Sequence, residues 1–547
     1  MDLSKNQIPN FDPRSRAYRR KLWVRVAASG GVSRLVIFWW RIAAVLALLA
    51  VCGWLSLAAG VYGFMRVKHD FTDASYLNLV FPHRWPLHRA ALGRHYLERG
   101  QRAFADKQYN EAAQFYAAGV SRVPDDIAAR RQLAIIYIRF GLVDAGLNIL
   151  ESGLPLARGD LDYLKLLFGL LNEIRNDTKI IDLARTYLPT QVDDVLPHQF
   201  LALQAAQAHY HRGNYDEAEK IAADWRLSRS LEGQLLLARC DWERGYPDLA
   251  ILRLEQQRET FPNRDELSLQ LIRFYRDLSR QEDALNEALL RHVADPASPG
   301  ARVDLIYSWH HKSDTTRYTR ELESYLKDYA TDARALMLLA WFAADTGELE
   351  LARRLRAIAE TQAFPVNAFE LVIVQAHIFR GDYRPALEAA EASLQGPAGK
   401  DPRYIAVLSG LRALAAFGAG DPANGEVYLQ SFLIREYLRA SDALLLAERL
   451  TEIGARNQAR NVLTTAVAND AANQAALTAL IKLETTDGNL AALETHLPRL
   501  LAMRKPARTV LQEAYLKLDE ATPTRAALRQ AVKAAIEKSP TSVAPGA

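Results

Sequence analysis

Few residues in this sequence have types and spacings that could support catalysis. The adjacent histidines His310 and His311 form the densest histidine group. Neighbouring residues on a helix point to different faces, so this pair cannot grip one metal ion as histidines at i and i+4 could. Asp125 and Asp126 form a carboxylate pair after Pro124. Two carboxylates there also suit a turn and a helix N-terminus, so both pairs are predicted to be structural.

Motifs that bind phosphate, ligate metals or activate a nucleophile are absent from the sequence. We therefore predict no catalytic residue, no cofactor site and no metal site, and the chain is predicted not to be an enzyme. Cys52 lies in an apolar segment and Cys240 in a helical pattern, so no disulfide framework is implied. A repeat-based enzyme stays the weakest alternative.

Positive charge is concentrated at the N-terminus. Residues 1–70 hold 11 Lys and Arg against 3 Asp and Glu, although the whole chain has a formal charge of only +4. The remainder therefore carries a charge of −4 (57 basic against 61 acidic residues). A body without basic excess does not favour nucleic acid as a partner.

An apolar segment follows the basic tail. The 24 residues from Ile42 to Met65 include no charged side chain. As a helix they extend about 36 Å, which is enough for a bilayer core of about 30 Å. Nine Lys and Arg lie within residues 1–41, and this bias predicts a cytoplasmic N-terminus with the rest of the chain across the inner membrane, in the periplasm. We expect an uncleaved signal-anchor; a lipoprotein acylated at Cys52 is the alternative, although Val51 departs from that motif.

One short pattern recurs through the remaining chain. Gly213–Ala218 reads as a turn followed by a helix start, because glycine can end a helix at positive φ and acidic residues favour a helix N-terminus. The small residue at the end of each copy gives the spacing. Ala218 to Ala250 is 32 residues, and Ala250 to Ala284 is 34. The period predicts stacked helix–turn–helix units.

A period of 34 residues in helix–turn–helix units resembles the tetratricopeptide repeat. The resemblance covers roughly residues 90–505. Matching positions in the first unit are Tyr96, Gly100, Tyr109, Ala112, Tyr116 and Pro124. Later matches include Gly213, Tyr215, Ala218, Leu237, Ala238, Gly245, Ala250, Ala284, Leu339, Ala340, Gly347, Ala352, Gly381, Tyr383, Ala386, Gly454 and Ala459. The resemblance implies an all-α solenoid of about 11 to 13 helix pairs preceded by one transmembrane helix.

Three stretches keep helical periodicity but lack most signature residues, namely 160–196, 301–330 and 401–440. We predict that they are degenerate helix pairs. The predicted division of the chain is a basic tail at 1–34, a transmembrane helix at 35–65, a connector at 66–89, solenoid parts at 90–396 and 397–538, and a disordered tail at 539–547. A kink at 395–400 would separate the two solenoid parts, and 507–538 would form a polar cap.

The resemblance also implies a concave groove lined by the first helix of each unit. The predicted partner-binding residues in that groove are Arg131, Gln207, Tyr210, Arg239, Trp242, Arg273, Arg276 and Trp341. Arginine and tryptophan often carry binding energy when they are exposed in a pocket. Arg239, Arg273 and Arg276 fall on successive units and could meet an acidic peptide or an anionic polysaccharide. Nearby acidic residues could instead neutralise them, and Trp242 and Trp341 also suit packing between helices.

The resulting hypothesis is a membrane-anchored scaffold that binds protein partners through this groove. Similar anchored proteins serve cell-envelope assembly, secretion and polysaccharide export, but fold alone does not fix function. The alternative is a module that holds an exported anionic polysaccharide.

Overall fold

A computed structural model describes residues 21–27, 33–262, 264–396, 399, 402–434 and 438–538. These residues form 28 α-helices and two β-strands. The chain divides into two compact units, residues 1–163 and 164–547. The predicted tail at 539–547 and much of the predicted basic tail and kink lie outside the described residues.

The first described element of this unit is an antiparallel pair of β-strands, which the predicted basic tail does not include. The strands are β1 (Trp23–Ala27) and β2 (Ser33–Ile37), paired antiparallel with Trp23 opposite Ile37. The helices of this unit are α1 (Trp39–Lys68), α2 (Tyr76–Val80), α3 (Trp85–Ala105), α4 (Tyr109–Val120), α5 (Ile127–Arg139) and α6 (Val143–Ala157).

Helix α1 matches the predicted apolar segment, but it extends from Trp39 to Lys68. Its most apolar 18-residue stretch has a mean hydropathy of 2.4, and only 6% of that stretch is buried. By length and composition it can cross a membrane, so it is a candidate anchor.

Helices α3 to α6 pack as two pairs because small residues let the helices approach. Ala112 is fully buried, and a Cβ at Gly100 would lie 3.2 Å from the Tyr116 ring. Leu133 and Ile136 of α5 complete the core of these pairs. The small and aromatic residues that mark the first repeat in the sequence therefore make the close helix–helix contacts predicted for them.

Helix α7 (Leu161–Glu173) spans the division between the units. The second unit continues with α8 (Asp177–Tyr187), α9 (Leu196–His211), α10 (Tyr215–Asp224), α11 (Leu231–Glu243), α12 (Pro247–Glu255), α13 (Asp265–Asp277), α14 (Gln281–Ala294), α15 (Pro299–His311), α16 (Thr315–Tyr329), α17 (Ala333–Thr346) and α18 (Leu349–Thr361). It ends with α19 (Asn367–Phe379), α20 (Tyr383–Gln395), α21 (Pro402–Gly418), α22 (Pro422–Leu433), α23 (Ala440–Glu452), α24 (Arg456–Asn469), α25 (Gln474–Asp487), α26 (Leu490–Leu501), α27 (Arg508–Lys517) and α28 (Pro523–Lys538).

From α3 onward the described helices form thirteen pairs, within the predicted range. The turn inside many pairs holds a residue at positive φ, as predicted for Gly213, whose φ is 76°. In two of the degenerate units Arg175 and Ser313 adopt the same conformation without glycine. The turn geometry therefore persists where the sequence signature is lost, and all three degenerate stretches are helix pairs.

The small residues at the start of the second helices lie at the centre of each pair. Ala218, Ala250, Ala352 and Ala386 are fully buried, and Ala284 is nearly so. Each permits close approach of the preceding helix, and the larger apolar side chains fill the space between pairs. These contacts make each pair depend on its neighbours for burial of its apolar face.

Within the second unit, pairs that are far apart in sequence also touch. Arg439 binds Asp177, the amide of Gln474 donates to the carbonyl oxygen of Gly213 at 2.9 Å, and the Tyr246 hydroxyl donates to Pro506 O at 3.0 Å. Each of these contacts joins one helix pair to the pair eight positions later. The second unit therefore forms a superhelix in which successive turns touch. We call this contact the seam; it joins segment 175–246 to segment 438–509.

Candidate functional site: the inner face of the second unit

The first helices of successive pairs form one layer of the second unit. From α15 to α27, α15 contacts α17, α17 contacts α19, and the series continues through the last pair. Helices in direct contact lie on the inside of a curved stack, so these first helices form its inner face. The resemblance implies a groove on these first helices, and its binding role stays a prediction.

Large apolar side chains are exposed on this face. Trp341 of α17 is 55% exposed, Phe379 of α19 is 49% exposed and Leu445 of α23 is 57% exposed. Phe379 and Leu445 border a groove of about 340 Å³ that spans four first helices. Ile378, Val407, Leu411, Leu414 and Phe432 add to its apolar lining, and Arg175, Asp345, Asp442 and Arg449 supply charges.

The predicted arginines make contacts within the fold. Arg239 donates from Nε to Gln270 Oε1 at 2.7 Å, and burial lowers the pKa of its guanidinium. Arg276 pairs with Asp304 at 2.9 Å and lies 4.3 Å from the centre of the Tyr307 ring. Arg273 is exposed on α13. Two of the three arginines therefore already have partners within the protein.

The predicted aromatic residues divide between packing and exposure. The Trp242 ring stacks on Phe274 with a centroid distance of 4.1 Å and an interplanar angle of 7°. The Tyr210 hydroxyl donates to Glu243 Oε1 at 3.4 Å, and burial raises the pKa of this tyrosine. Trp341 is the exposed member of the set. Tyr210 and Trp242 therefore hold neighbouring helices together.

The remaining predicted residues occupy two places. Gln207 accepts a hydrogen bond from Gln204 Nε2 at 3.3 Å on α9. Arg131 lies in the first unit, where its Nη1 is 3.8 Å from Asp162 Oδ2. Helices α9, α11 and α13 bring most of the predicted set onto neighbouring first helices, whereas Trp341 lies two pairs beyond them. The binding role of the set stays a prediction.

The seam contains a buried charged cluster that the sequence does not reveal. The side chain of Arg244 is fully buried and donates to Asp216 Oδ1 at 2.6 Å and to Glu219 Oε2 at 3.0 Å. Lys505, from the next superhelical turn, also binds Glu219. Burial acts to raise the pKa of Glu219, but the hydrogen bonds from Lys505 and Arg244 outweigh it and lower the pKa. The cluster therefore keeps the Glu219 carboxylate charged.

Further ion pairs line the seam. Arg439 makes two hydrogen bonds of 3.0 Å to the carboxylate of Asp177. Arg212 pairs with Asp470 at 2.6 Å, and Arg175 pairs with Asp442. A cleft of about 160 Å³ lies among these residues. No local pattern marks these residues, because their partners lie more than 250 positions away.

The two residue pairs first considered for chemistry have structural contacts. Asp126 caps α5 by accepting a hydrogen bond from the Ala129 amide at 2.8 Å, as the helix N-terminus reading predicts. His310 Nε2 lies 3.1 Å from Glu348 Oε1, and the His311 ring faces Tyr307. Across the part of the chain that the structure describes, no three His, Cys, Asp or Glu side chains are grouped to hold a metal ion.

Comparison with known proteins supports the repeat assignment. Residues 103–167 match the family model of the tetratricopeptide repeat. No curated protein sequence matches the chain. The solved structure of the APC/C hetero-tetramer Cut9–Hcn1 aligns with 14% identity over 79% of this chain and 98% of its own, with a TM-score of 0.27. Naa15/Naa10 bound to HypK-THB aligns with 14% identity over 89% of this chain and 79% of its own, with a TM-score of 0.28. The family match and the helix packing identify residues 103–167 as a tetratricopeptide-repeat segment of an all-α solenoid.

Proposed function

We propose that this protein is a membrane-anchored scaffold whose second unit binds an apolar segment of a partner protein on its inner face. A solenoid of this kind is suited to protein–protein interaction. Helix α1 would anchor the chain in the inner membrane, with the N-terminus in the cytoplasm and the repeats on the periplasmic side. The assembly that it serves would be one of envelope biogenesis, secretion or polysaccharide export.

The groove bordered by Phe379 and Leu445 carries this proposal. Monomeric proteins rarely expose several large apolar residues around one concavity unless they bind something there. The walls come from α17, α19, α21 and α23, so the groove follows the stacking direction of the pairs. An extended or helical peptide could place successive apolar side chains along it.

The charged residues at the groove restrict which partner segments could bind there. Arg449 and Asp345 lie among its lining residues, and the ion pair of Arg175 with Asp442 borders it. Arg175 comes from the turn before α8, so the seam supplies one edge of the groove. A partner segment with an apolar centre and both charge signs at its ends would satisfy this lining.

Photocrosslinking in membranes tests the proposal. A photoreactive amino acid would replace Phe379 or Leu445 on the inner face, and Val293 on α14 as the control. Val293 is 76% exposed but lies on a second helix, away from the inner face. We expect a discrete protein adduct from the two groove positions and none from Val293. Adducts of equal yield at all three positions would contradict the proposal.

A substitution in the groove adds an independent measurement. Phe379→Asp places a charge in the apolar lining and should abolish the adduct formed at Leu445, whereas Val293→Asp should leave it unchanged. A reporter enzyme fused after Lys538 would test the orientation. Reporter activity confined to the cytoplasm would contradict the periplasmic placement of the repeats.

The anionic-polysaccharide alternative depends on Arg239, Arg273 and Arg276. Arg239 is held by Gln270, and Arg276 by Asp304. Binding of a polyanion would have to compete with these contacts, so the groove gives the protein-partner proposal more support. Loss of glycan binding in an Arg239→Ala, Arg273→Ala variant would favour the alternative.

A further inference from the structure

The segment after the anchor folds back along it. The amide of Phe71 donates to Met65 O at 3.2 Å near the end of α1. The Tyr76 hydroxyl then donates to Leu55 O at 3.0 Å, and Trp54 Nε1 donates to Val80 O at 2.8 Å. Residues 71–80 thus run antiparallel to α1 from its end toward its middle.

Helix α3 then reverses direction and runs parallel to α1, toward the C-terminal end of α1. The Trp85 ring lies 6.2 Å from the Trp54 ring, and Trp85 Nε1 donates to Leu79 O at 3.1 Å. Further along α3, His95 Nε2 lies 3.2 Å from His69 O. Both neighbours of α1 therefore cover its C-terminal part only. Consistent with this, residues 43–57 of α1 are exposed throughout, and Ala58 is its one buried residue.

This coverage conflicts with immersion of α1 as far as Met65. Trp54 precedes Met65 by 11 positions, or about 16 Å of helix. Immersion to Met65 would bring Val80 and its neighbours His83 and Arg84 close to the middle of a core about 30 Å thick. An arginine at that depth is strongly unfavourable, because its charge loses hydration.

A shifted boundary removes the conflict. The 20 residues from Trp39 to Ala58 extend about 30 Å, the full thickness of the core. Arg41 lies only two residues inside this span, so its long side chain can extend to the headgroups. Trp54 then lies about 6 Å inside the core boundary at Ala58. Interfacial amphipathic segments are buried to a similar depth, about 5–10 Å. Trp85 and Tyr76 fall at the level where aromatic belts occur, and Arg84 reaches the headgroups.

The exposed side chains of the folded-back segment match this depth. Leu77, Phe81, Trp85 and Leu87 are all large, apolar and exposed. All four residues occur within eleven positions. They lie beside the part of α1 that residues 71–80 leave uncovered and open to lipid. We propose that residues 76–87 form an interfacial collar, immersed in the bilayer leaflet on the side of the repeats. The collar would set the depth of α1 and hold the first helix pair against the membrane.

The inference rests on the membrane anchor of the proposed function, and its test separates the two. Single cysteines carrying an environment-sensitive fluorophore would be placed in the full chain, reconstituted in vesicles of phosphatidylcholine and phosphatidylglycerol in equal parts. Native Cys52, exposed in α1, reports on the anchor, and buried Cys240 stays unlabelled. In a Cys52→Ser background, Phe81→Cys reports on the collar, and Asp73→Cys, five residues beyond the end of α1, is the matched control.

Nitroxide groups at a shallow or a deep position of the lipid chains would quench the fluorophores. We expect the deep quencher to act most on Cys52, and the shallow quencher to act on Phe81→Cys at least twice as strongly as on Asp73→Cys. Leu77→Cys should repeat the Phe81 result, and circular dichroism would confirm that each variant is folded.

Each other outcome rejects a different statement. Deep quenching at Cys52 with equal, weak quenching at Phe81→Cys and Asp73→Cys would overturn the collar and leave the anchor. Deep quenching at Phe81→Cys would overturn its interfacial position. An apolar environment at Phe81→Cys that persists in detergent and depends on protein concentration would make a second copy the occupant. Absence of quenching at Cys52 would reject the anchor itself, and the collar with it.

Discussion

Replacing Arg439 with leucine tests whether buried charge holds the seam together. Arg439 makes two hydrogen bonds of 3.0 Å to Asp177, and the two side chains are only 14% and 6% exposed. The substitution leaves the Asp177 carboxylate buried without its main partner. Breaking a buried pair in this way costs about 3–5 kcal/mol. We expect about 3 kcal/mol here, because the adjacent cleft admits water and Arg175 and Arg212 remain nearby.

The cost should appear as local opening of the seam. The Gln474 amide reports on this opening because Gln474 is the first residue of α25, where the helix itself supplies no acceptor. Its hydrogen-bond acceptor is Gly213 O across the seam. A loss of about 3 kcal/mol corresponds to roughly a hundredfold larger opening constant. Hydrogen exchange at the Gln474 amide should accelerate by a similar factor in Arg439→Leu.

An exposed pair supplies the matched control. Arg354 binds Glu323 with two hydrogen bonds of 2.6 and 2.9 Å, but the side chains are 48% and 52% exposed. Arg354→Leu should cost less than about 1 kcal/mol and leave Gln474 exchange unchanged. Unchanged exchange in a folded Arg439→Leu variant, or equal acceleration in both variants, would refute the reasoning.

The pH dependence of the Arg439→Leu defect provides a second check. Burial already raises the pKa of Asp177, with Arg439 acting against it. Without Arg439 the folded-state pKa should rise further above its unfolded value. A raised carboxylate pKa favours the folded state at low pH, and that contribution is lost as pH rises through the folded pKa. The defect should therefore shrink on acidification, and Asp177→Asn should relieve it at neutral pH.

Three further substitutions address the turns, the packing and the buried histidines. Gly213→Ala should destabilise the protein more than Gly454→Ala, although both glycines have positive φ. Only at position 213 would the new Cβ clash across the seam, with the side-chain oxygen of Asn473, so urea unfolding should show about 1–3 kcal/mol of extra loss. Trp242→Ala removes the stack on Phe274 and should cost about 2–4 kcal/mol in the same assay, and a loss below about 1 kcal/mol would contradict a packing role. Burial lowers the pKa of His211 from 6.5 to about 4. The free energy of unfolding should therefore fall by up to about 3 kcal/mol between pH 6.5 and 4, because the unfolded state takes up the proton first. His211→Asn should remove that part of the loss, and an identical pH profile in the variant would contradict the reasoning.

Local features of the fold could be predicted from sequence because their causes are local. A glycine at positive φ and an alanine at a helix crossing are each required by a neighbour within the same pair. The turn at Gly213 and the buried Ala218 were predictable for that reason. The degenerate turns were harder, because Arg175 and Ser313 adopt positive φ without any sequence signal.

Features that depend on distant contacts could not be predicted. The pairing of Arg244 with Asp216 and of Arg439 with Asp177 requires the superhelical pitch, which no single repeat encodes. The antiparallel strand pair was missed although Val24 and Val26 lie on either side of the charged Arg25, the alternation of a short strand. The predicted residues lie mainly on α9, α11 and α13, whereas the groove is lined by side chains of α17, α19, α21 and α23. Their binding role stays a prediction, because which side chains remain free depends on the partners that Arg239 and the others find in the fold.

The offset of eight pairs across the seam also fixes the number of helix pairs that lie between its two sides. In an open solenoid a whole repeat can be gained or lost with little consequence beyond its neighbours. Here the deletion or duplication of one pair between α12 and α23 would shift every seam contact by about 34 residues. Arg244 and Asp177 would then face the wrong helix pair of the neighbouring superhelical turn. Repeat number in this region is therefore under the same kind of constraint as strand register in a closed barrel, and recombination between repeats should be tolerated only in whole superhelical turns.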